Sequence, residues 1–344
     1  MTESAAGAKR RPTMRDVATL AGVSLKTVSR VVNGESRVAP ATIAKVEDAV
    51  ATLRFQRNDV ARSLRPGHRT HTLGLVIEDL NSPFYPALMR SVDQVAQAHG
   101  YMLISASTFA DARRERELVT ALLGRRIDGL LLVPFTSDQR YISQANGGIP
   151  TVLIDRPARN LKADVVLLDD VGGTEQAVAH LVKQGHRRIA FIGDDASVVY
   201  SARRRLASFR RTVASAGLLD EELIVTASGL IAEAEIAHAE AAVHSLLALP
   251  AGRRPTAIIT NDSRVTVGVL RALRLRPDTV ALVGFDDLEL GELLGITVVR
   301  TNPAEVGRVA AERVLERIGG RADRPKRIVV PTELVPRGSG EIAP

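Results

Sequence analysis

The sequence predicts a small helical module of helix-turn-helix type joined to an α/β body built on parallel sheets. Three observations predict it. The positive charge is concentrated in the first fifth of the chain; two short helical stripes separated by a glycine turn lie inside that basic part; and from residue 72 onward apolar runs of strand length alternate with helical stretches.

The charge distribution comes first. Residues 1–70 hold 13 Lys and Arg against 6 Asp and Glu, a net of +7, whereas residues 71–344 hold 33 of each. A basic module on a neutral body suits a polyanionic partner, because each phosphate neutralised by Lys or Arg releases condensed counterions. A solvated basic tail gives the same arithmetic, so charge alone leaves both readings standing. At 344 residues, 45% hydrophobic and 25% charged, the chain has the composition of a globular protein of two or three domains. There is no apolar run of about 18 residues, and Lys9, Arg10 and Arg11 lead into no apolar segment, so a cytoplasmic protein is expected. The absence of cysteine excludes disulfides, thiolate zinc sites, iron–sulfur clusters and thiol catalysis.

In the basic part, Thr13 with Asp16 three residues on is a variant of the capping box, and Val17, Leu20 and Ala21 make a helical apolar stripe behind it. Gly22 supplies the turn, Val23 a turn residue with the look of a buried one, and Ser24 a cap for a second helix, Leu25 to Val32. Val28, Val31 and Val32 are its apolar positions, leaving Lys26, Thr27, Ser29 and Arg30 outside. Asn33-Gly34 ends it, and Ala41 to Leu53 makes a third helix with Ile43, Val46, Val50 and Leu53 on one face. By itself a glycine turn between two helices is a weak signal.

Beyond a linker at Arg65-Pro-Gly-His-Arg-Thr70, strands are expected at 72–77, 101–105, 129–133, 151–154, 165–168, 189–193, 222–226, 256–260 and 280–284. Helices are expected at about 84–99, 111–124, 173–185, 201–216, 231–248 and 262–274. That rhythm is βαβ, hence parallel sheets covered by helices on both faces. Near the end, Leu334-Val-Pro-Arg-Gly-Ser339 matches a thrombin cleavage sequence, but it runs on from the last expected strand and is read as part of the fold.

The words Thr13-Met-Arg-Asp-Val-Ala, Ala21-Gly-Val-Ser and Thr27-Val-Ser-Arg-Val-Val-Asn33 closely resemble the headpiece of the lactose/galactose repressor family of bacterial transcription regulators. Asn58-Asp-Val-Ala-Arg-Ser-Leu64 resembles that family's hinge, and the likeness extends over nearly the whole chain. It departs at Phe55-Gln-Arg57, where the family usually has a proline before the asparagine. The resemblance implies a small all-α helix-turn-helix headpiece (1–57), a hinge and linker (58–70), and an α/β body (71–340) of two doubly wound parallel-sheet lobes, like that of periplasmic sugar-binding proteins. Three crossings would join the lobes near residues 168, 297 and 326. Lobe one would then be 71–168 with 298–325, and lobe two 169–297 with 326–340. Functionally the resemblance implies a homodimeric, sequence-specific repressor on near-palindromic double-stranded operator DNA, its affinity set by a small-molecule effector, a sugar or related metabolite. It gives Leu25 and Lys26 base-edge contacts and Arg30 a base or phosphate contact, and adds Thr27, Asn33 and Ala61 to the DNA-facing set. Leu64 would be an apolar wedge in the minor groove.

In the body, polar groups cluster at strand C-terminal ends, where open parallel sheets place ligands. They are Asn81 to Tyr85, Asp155-Arg156, Asp169-Asp170, Asn261-Asp262 and Asp286-Asp287, with Arg203 opening a helix. A polyhydroxy ligand needs paired acceptors, bidentate donors and an aromatic face. The resemblance assigns effector contacts to Arg203, Asn261 and Asp286, and Asp155 with Phe84 or Tyr85 as the stacking face complete the effector candidates, although Asp and Asn at strand ends also cap the following helix. The alternatives, a solute-binding receptor or a nucleotide-cofactor enzyme on the same body, lack their signatures. No Gly-x-Gly-x-x-Gly follows a strand, and no His-Glu-x-x-His or Gly-x-Ser-x-Gly occurs. His180 and His186 flank a helix end and read as structural, so no cofactor or metal is expected.

Overall fold

A computed structural model of the protein describes residues 12–32, 38–55, 69–136, 138–145, 148–197, 199–227, 233–274 and 280–344. The chain divides into two compact units, Met1–Thr70 and His71–Pro344. Among the described residues, no helix is long and apolar enough to cross a membrane.

In the first unit, helices α1 (Met14–Ala21), α2 (Leu25–Val32) and α3 (Pro40–Thr52) share a small core of Val17, Ala18, Val28, Val46 and Ala49. The capping box at Thr13 is formed: the Asp16 amide donates to Thr13 Oγ1, and the Thr13 amide donates to the Asp16 carboxylate at 2.7 Å. Gly22, at φ 65°, takes the left-handed conformation that closes α1 and lets the chain turn into α2. Ser24 Oγ accepts from the Thr27 amide at 3.1 Å, the cap expected for α2. Leu20 departs from the expected stripe and is 52% exposed. In so small a domain only a narrow wedge of each helix is covered, and Val17, Ala18 and Ala21 fill the one on α1.

The second unit begins with β1 (Thr72–Ile77), α4 (Phe84–Ala98), β2 (Met102–Ser107), α5 (Ala112–Gly124), β3 (Gly129–Leu132), α6 (Arg140–Ala145), β4 (Thr151–Ile154) and β5 (Asp164–Leu168). Then come α7 (Asp170–Lys183), β6 (Ile189–Gly193), α8 (Tyr200–Ser215), β7 (Ile224–Thr226), α9 (Glu233–Leu247), β8 (Ala257–Thr260), α10 (Ser263–Leu273), β9 (Ala281–Phe285) and β10 (Thr297–Arg300). The chain finishes with α11 (Pro303–Ile318), β11 (Arg327–Val330) and β12 (Glu333–Val335). Two six-stranded sheets result, ordered β11-β5-β4-β3-β1-β2 and β12-β10-β9-β8-β6-β7. The orders are the same strand for strand, so the body is two copies of one doubly wound plan. Central strands such as β1, β3, β4, β6, β8 and β9 are buried along their whole length, as strands covered on both faces must be.

Sheet membership moves two of the expected crossings. β10 pairs with β9 and belongs to lobe two, and β11 pairs with β5 and completes lobe one. The chain therefore crosses at Asp169, at Thr301–Asn302 and at Pro331–Thr332, rather than near 168, 297 and 326. The reason is that each late strand completes the sheet of the lobe it leaves, β10 beside β9 and β11 as the edge beside β5, rather than starting the sheet of the lobe it enters. β12 runs antiparallel to β10, an exception to all-parallel sheets forced by a short return after the last crossing. α11 was not among the expected helices; Asn302 caps it, and Val306, Ala310, Val314 and Ile318 bury it on lobe one. At the first crossing Gly173 has no room for a Cβ, which would lie 2.6 Å from Thr332 Oγ1 and 2.7 Å from Val299. The thrombin-like segment is built into lobe two: it holds β12, and Arg337 makes a bidentate ion pair with Asp287 at 2.6 and 2.7 Å. His180 pairs with Glu341, and His186 hydrogen-bonds Thr256 and the Ile342 carbonyl, so both histidines hold this C-terminal segment.

Candidate functional site

In the headpiece, α2 buries Val28 and turns Leu25 (45% exposed) and Lys26 outward. Thr27 is half-buried, its hydroxyl 2.8 Å from Ser24 Oγ, and Arg30 is half-buried in the last turn. Lys26 and Arg30 are one helical turn apart, so a face with an apolar tip and a cation is presented next to the core. Asn33, Ala61 and Leu64, with most of the hinge, lie outside the described residues.

In the body a cleft of about 640 Å³, open mouth included, is lined by both lobes. Lobe one contributes Glu78 after β1, Phe84 and Tyr85 at the start of α4, and Asp155-Arg156 after β4. Lobe two contributes Asp194 after β6, Arg205 from α8, Asn261 after β8 and Asp286 after β9. Both sheets thus open on it at their strand C-terminal ends, as expected for this strand order. Asp155 and Asp286 are pseudo-equivalent. Each is left-handed (φ 65° and 66°), and each amide donates to the neighbouring strand, to the Val166 and Val299 carbonyls. A non-glycine residue held at positive φ costs about 1–2 kcal/mol, and such strain clusters at ligand clamps.

Of the six effector candidates, five line this cleft and Arg203 does not. Arg203 is exposed, its guanidinium 5.4 Å from the Tyr200 ring. The arginine in the cleft is Arg205. Its Nε donates to Asp170 at 2.9 Å, its Nη1 to the Asn261 carbonyl, Asp286 lies at 3.6 Å, and its guanidinium stacks 3.7 Å from the Phe285 ring centre. Helical geometry explains the correction: α8 buries Ala202, Arg205, Leu206, Phe209 and Val213, and two residues rotate Arg203 by about 200° away from that face.

Around Arg205 the carboxyls are hard to ionise. Burial pushes Asp170 up to about 6, with Arg205 pulling it down and Asp155 pushing it further up. Burial likewise raises Asp286, against Arg205, while Thr301 at the second crossing donates a hydrogen bond to it. For Asp170 the unfolded chain titrates near the ordinary carboxylate value, about 4. Between that pH and about 6 the folded protein therefore holds a proton that the unfolded chain has released. This carboxyl's contribution to stability is fully present below about pH 4 and is lost as pH rises through 6. The stability of Asp170→Asn relative to wild type should accordingly grow by about 2–3 kcal/mol across that range and level off above it. Chemical denaturation from pH 4 to 8 checks this; a constant difference would refute the assignment.

The other candidates are already engaged. Phe84 and Tyr85 meet edge to face, 5.4 Å between ring centres, and burial with Glu78 nearby raises the Tyr85 phenol well above its usual value. Asn261 donates to Asp194 at 3.2 Å and accepts from the Asp194 amide at 3.2 Å. Asn261 can approach because residue 193 is glycine: a Cβ there would lie 3.0 Å from its side chain. Glu78, Asp194, Glu235 and Arg264 also line the cleft and were not expected from sequence. Arg264 reaches across it from α10, its Nη1 3.4 Å from Asp79 of lobe one.

A helix-turn-helix headpiece followed by a two-lobed body with a polar cleft defines a DNA-binding transcription regulator with a ligand-binding domain. Residues 13–58 match the bacterial regulatory proteins of the lacI family, and residues 178–340 match the periplasmic binding protein-like domain. The ribose operon repressor of Escherichia coli is 33% identical over 336 residues, 95% of this chain and 99% of that protein. Among solved structures, a transcriptional regulator CelR–cellobiose complex is 30% identical at a TM-score of 0.68, covering 96% of this chain and all of that one. The lac repressor dimer bound to operator and the anti-inducer ONPF is 25% identical at a TM-score of 0.83, covering 96% and 99%. The chain belongs to the LacI family of bacterial transcription regulators, and the enzyme readings fall away.

Proposed function

We propose that this protein is a cytoplasmic, homodimeric repressor that holds near-palindromic operator DNA through α2 and binds a sugar or related metabolite in the cleft. The observation that carries the effector half is the position of Arg205, flanked by Asp170 and Asp286 of lobe two and acted on by Asp155 of lobe one. A ligand that bonds these groups meets both lobes at once, and it can shift the lobe arrangement only by binding one arrangement better. The relatives support the chemistry: one represses a ribose operon, one is solved with cellobiose, and the lac repressor is solved as a dimer on its operator. Leu25, Lys26, Thr27 and Arg30 are the DNA-facing residues of this proposal, with Asn33, Ala61 and Leu64 carried over by resemblance. Phe84, Tyr85, Asp155, Asn261, Asp286 and Arg205, in place of Arg203, are the effector contacts.

Two variants separate the halves. Lys26→Ala should weaken binding to an operator selected from random duplexes by ~1–3 kcal/mol, at one base position if it reads a base edge. Asp286→Ala should leave operator binding intact but weaken the effector by roughly ten- to a hundredfold. Calorimetric titration against sugars and polyols, with operator binding at matched salt, measures both. Wild-type behaviour of both variants would overturn the proposal.

A further inference from the structure

We infer that the cleft is selective for an uncharged polyhydroxy ligand and rejects the phosphorylated or carboxylated form of the same compound; this rests on the sugar-effector reading above. Six carboxyl-bearing residues line it, Glu78, Asp155, Asp194, Glu235, Asp262 and Asp286, against three arginines. Each of those arginines is already neutralised. Arg156 pairs with Glu78 and Asp155, Arg205 with Asp170 and Asp286, and Arg264 with Asp79 and Glu235. Lining lysines and histidines are absent among the described residues. An anionic substituent would therefore have to displace a protein carboxylate from a buried arginine, leaving that carboxylate unpaired, or sit unpaired itself; both are costly.

The wall's own acids report the same potential. Burial first, then the neighbouring Asp262 and Glu235, hold the Asp194 carboxyl well above the usual range. A site that resists negative charge on its own side chain resists it on a ligand at the same place. Neutral hydroxyls meet no such opposition. Carboxylates accept from them, a protonated carboxyl donates to them, and the backs of the paired arginines keep the acceptors in place.

The test is a panel of unphosphorylated sugars and polyols, D-ribose and cellobiose included, titrated into the full chain by calorimetry beside the phosphate ester or aldonic acid of each. A neutral member should bind and its anionic counterpart should bind at least about a hundredfold more weakly. Glu235→Gln, which removes one negative charge from the wall without touching the arginine at the cleft centre, should narrow that ratio several-fold. An anionic member that binds as well as its neutral parent, or better, overturns the selectivity while leaving the sugar-effector reading intact. If neither set binds, the sugar reading fails and the selectivity falls with it.

Discussion

Arg205→Ala should destabilise the body by about 3–5 kcal/mol, the largest single effect expected of a side chain in the cleft. The guanidinium is 5% exposed, and removing it leaves Asp170 buried and facing only the more distant Arg204, and Asp286 with Thr301 alone. Asp170 would then have to take a proton or bring in water. Arg205→Lys should fail nearly as badly, since one ammonium cannot serve Asp170, Asp286 and the Asn261 carbonyl in the directions a planar fork serves them. Arg203→Ala, two residues away, should stay within about 0.5 kcal/mol of wild type, because its guanidinium sits at the surface beside Tyr200. Thermal unfolding should show a shift of roughly 10 °C for the first variant and little for the last. Combining Arg205→Met with Asp170→Asn should recover part of the loss, the sign that an orphaned charge rather than lost packing dominates. Equal melting of Arg205→Ala and Arg203→Ala would dismantle the assignment.

Val46→Asp should abolish operator binding while the body still melts and binds ligand as wild type does. The headpiece core is small, and Val46, fully buried, lies between α1 and α2 where every other buried residue is Val or Ala. A domain of this size has a stability margin of only a few kcal/mol, and an unpaired buried carboxylate exceeds it. Val46→Ala should remove ~1–3 kcal/mol and weaken operator binding partially, in proportion to the headpiece left folded. The body is a separate compact unit with its own cores. Circular dichroism and operator binding, set against ligand titration, distinguish this from a loss of DNA contacts, which would leave the helical signal unchanged.

Much of this architecture was legible in the sequence because its determinants are local. The capping box at Thr13, the Gly22 turn and the Ser24 cap are fixed by residues within four positions of one another, and each formed as expected. Periodicity placed nine strands and six helices of the body with small end shifts. What periodicity cannot report is partnership. β10 and β11 were not among the expected strands, and only their pairing with β9 and β5 shows which lobe each completes. Arg203 and Arg205 stand in one run of three arginines, and motif position favoured Arg203, whereas Arg205 is the one that lines the cleft. The phase of Leu206, Phe209 and Val213 was available to choose between them, since Arg205 shares their face. Glu78 and Asp194 stand directly after β1 and β6, so the strand-end position that singled out Asp155 and Asp286 was available for them too, whereas Glu235 lies within α9 and carried no such signal: the cleft is made of chain segments far apart in sequence, and which acids face it depends on both lobes being in place.

The interleaving of the lobes also governs how the protein is made. Lobe one has four consecutive parallel strands and a fifth by residue 168, yet its β11 edge and the α11 helix over β3 to β5 arrive only by residue 330. At roughly 5–20 residues per second, a ribosome needs on the order of 10–30 s to cover that interval. Throughout it the β5 edge is unpaired, and the surface around Gly129 that Val314 and Ile318 will cover is open to solvent and to neighbours. The headpiece, complete by residue 55, emerges long before the body that is to regulate it. A translation stop before residue 330 therefore leaves lobe one without its edge and lobe two without β12: it forfeits both halves of the body, not merely the last.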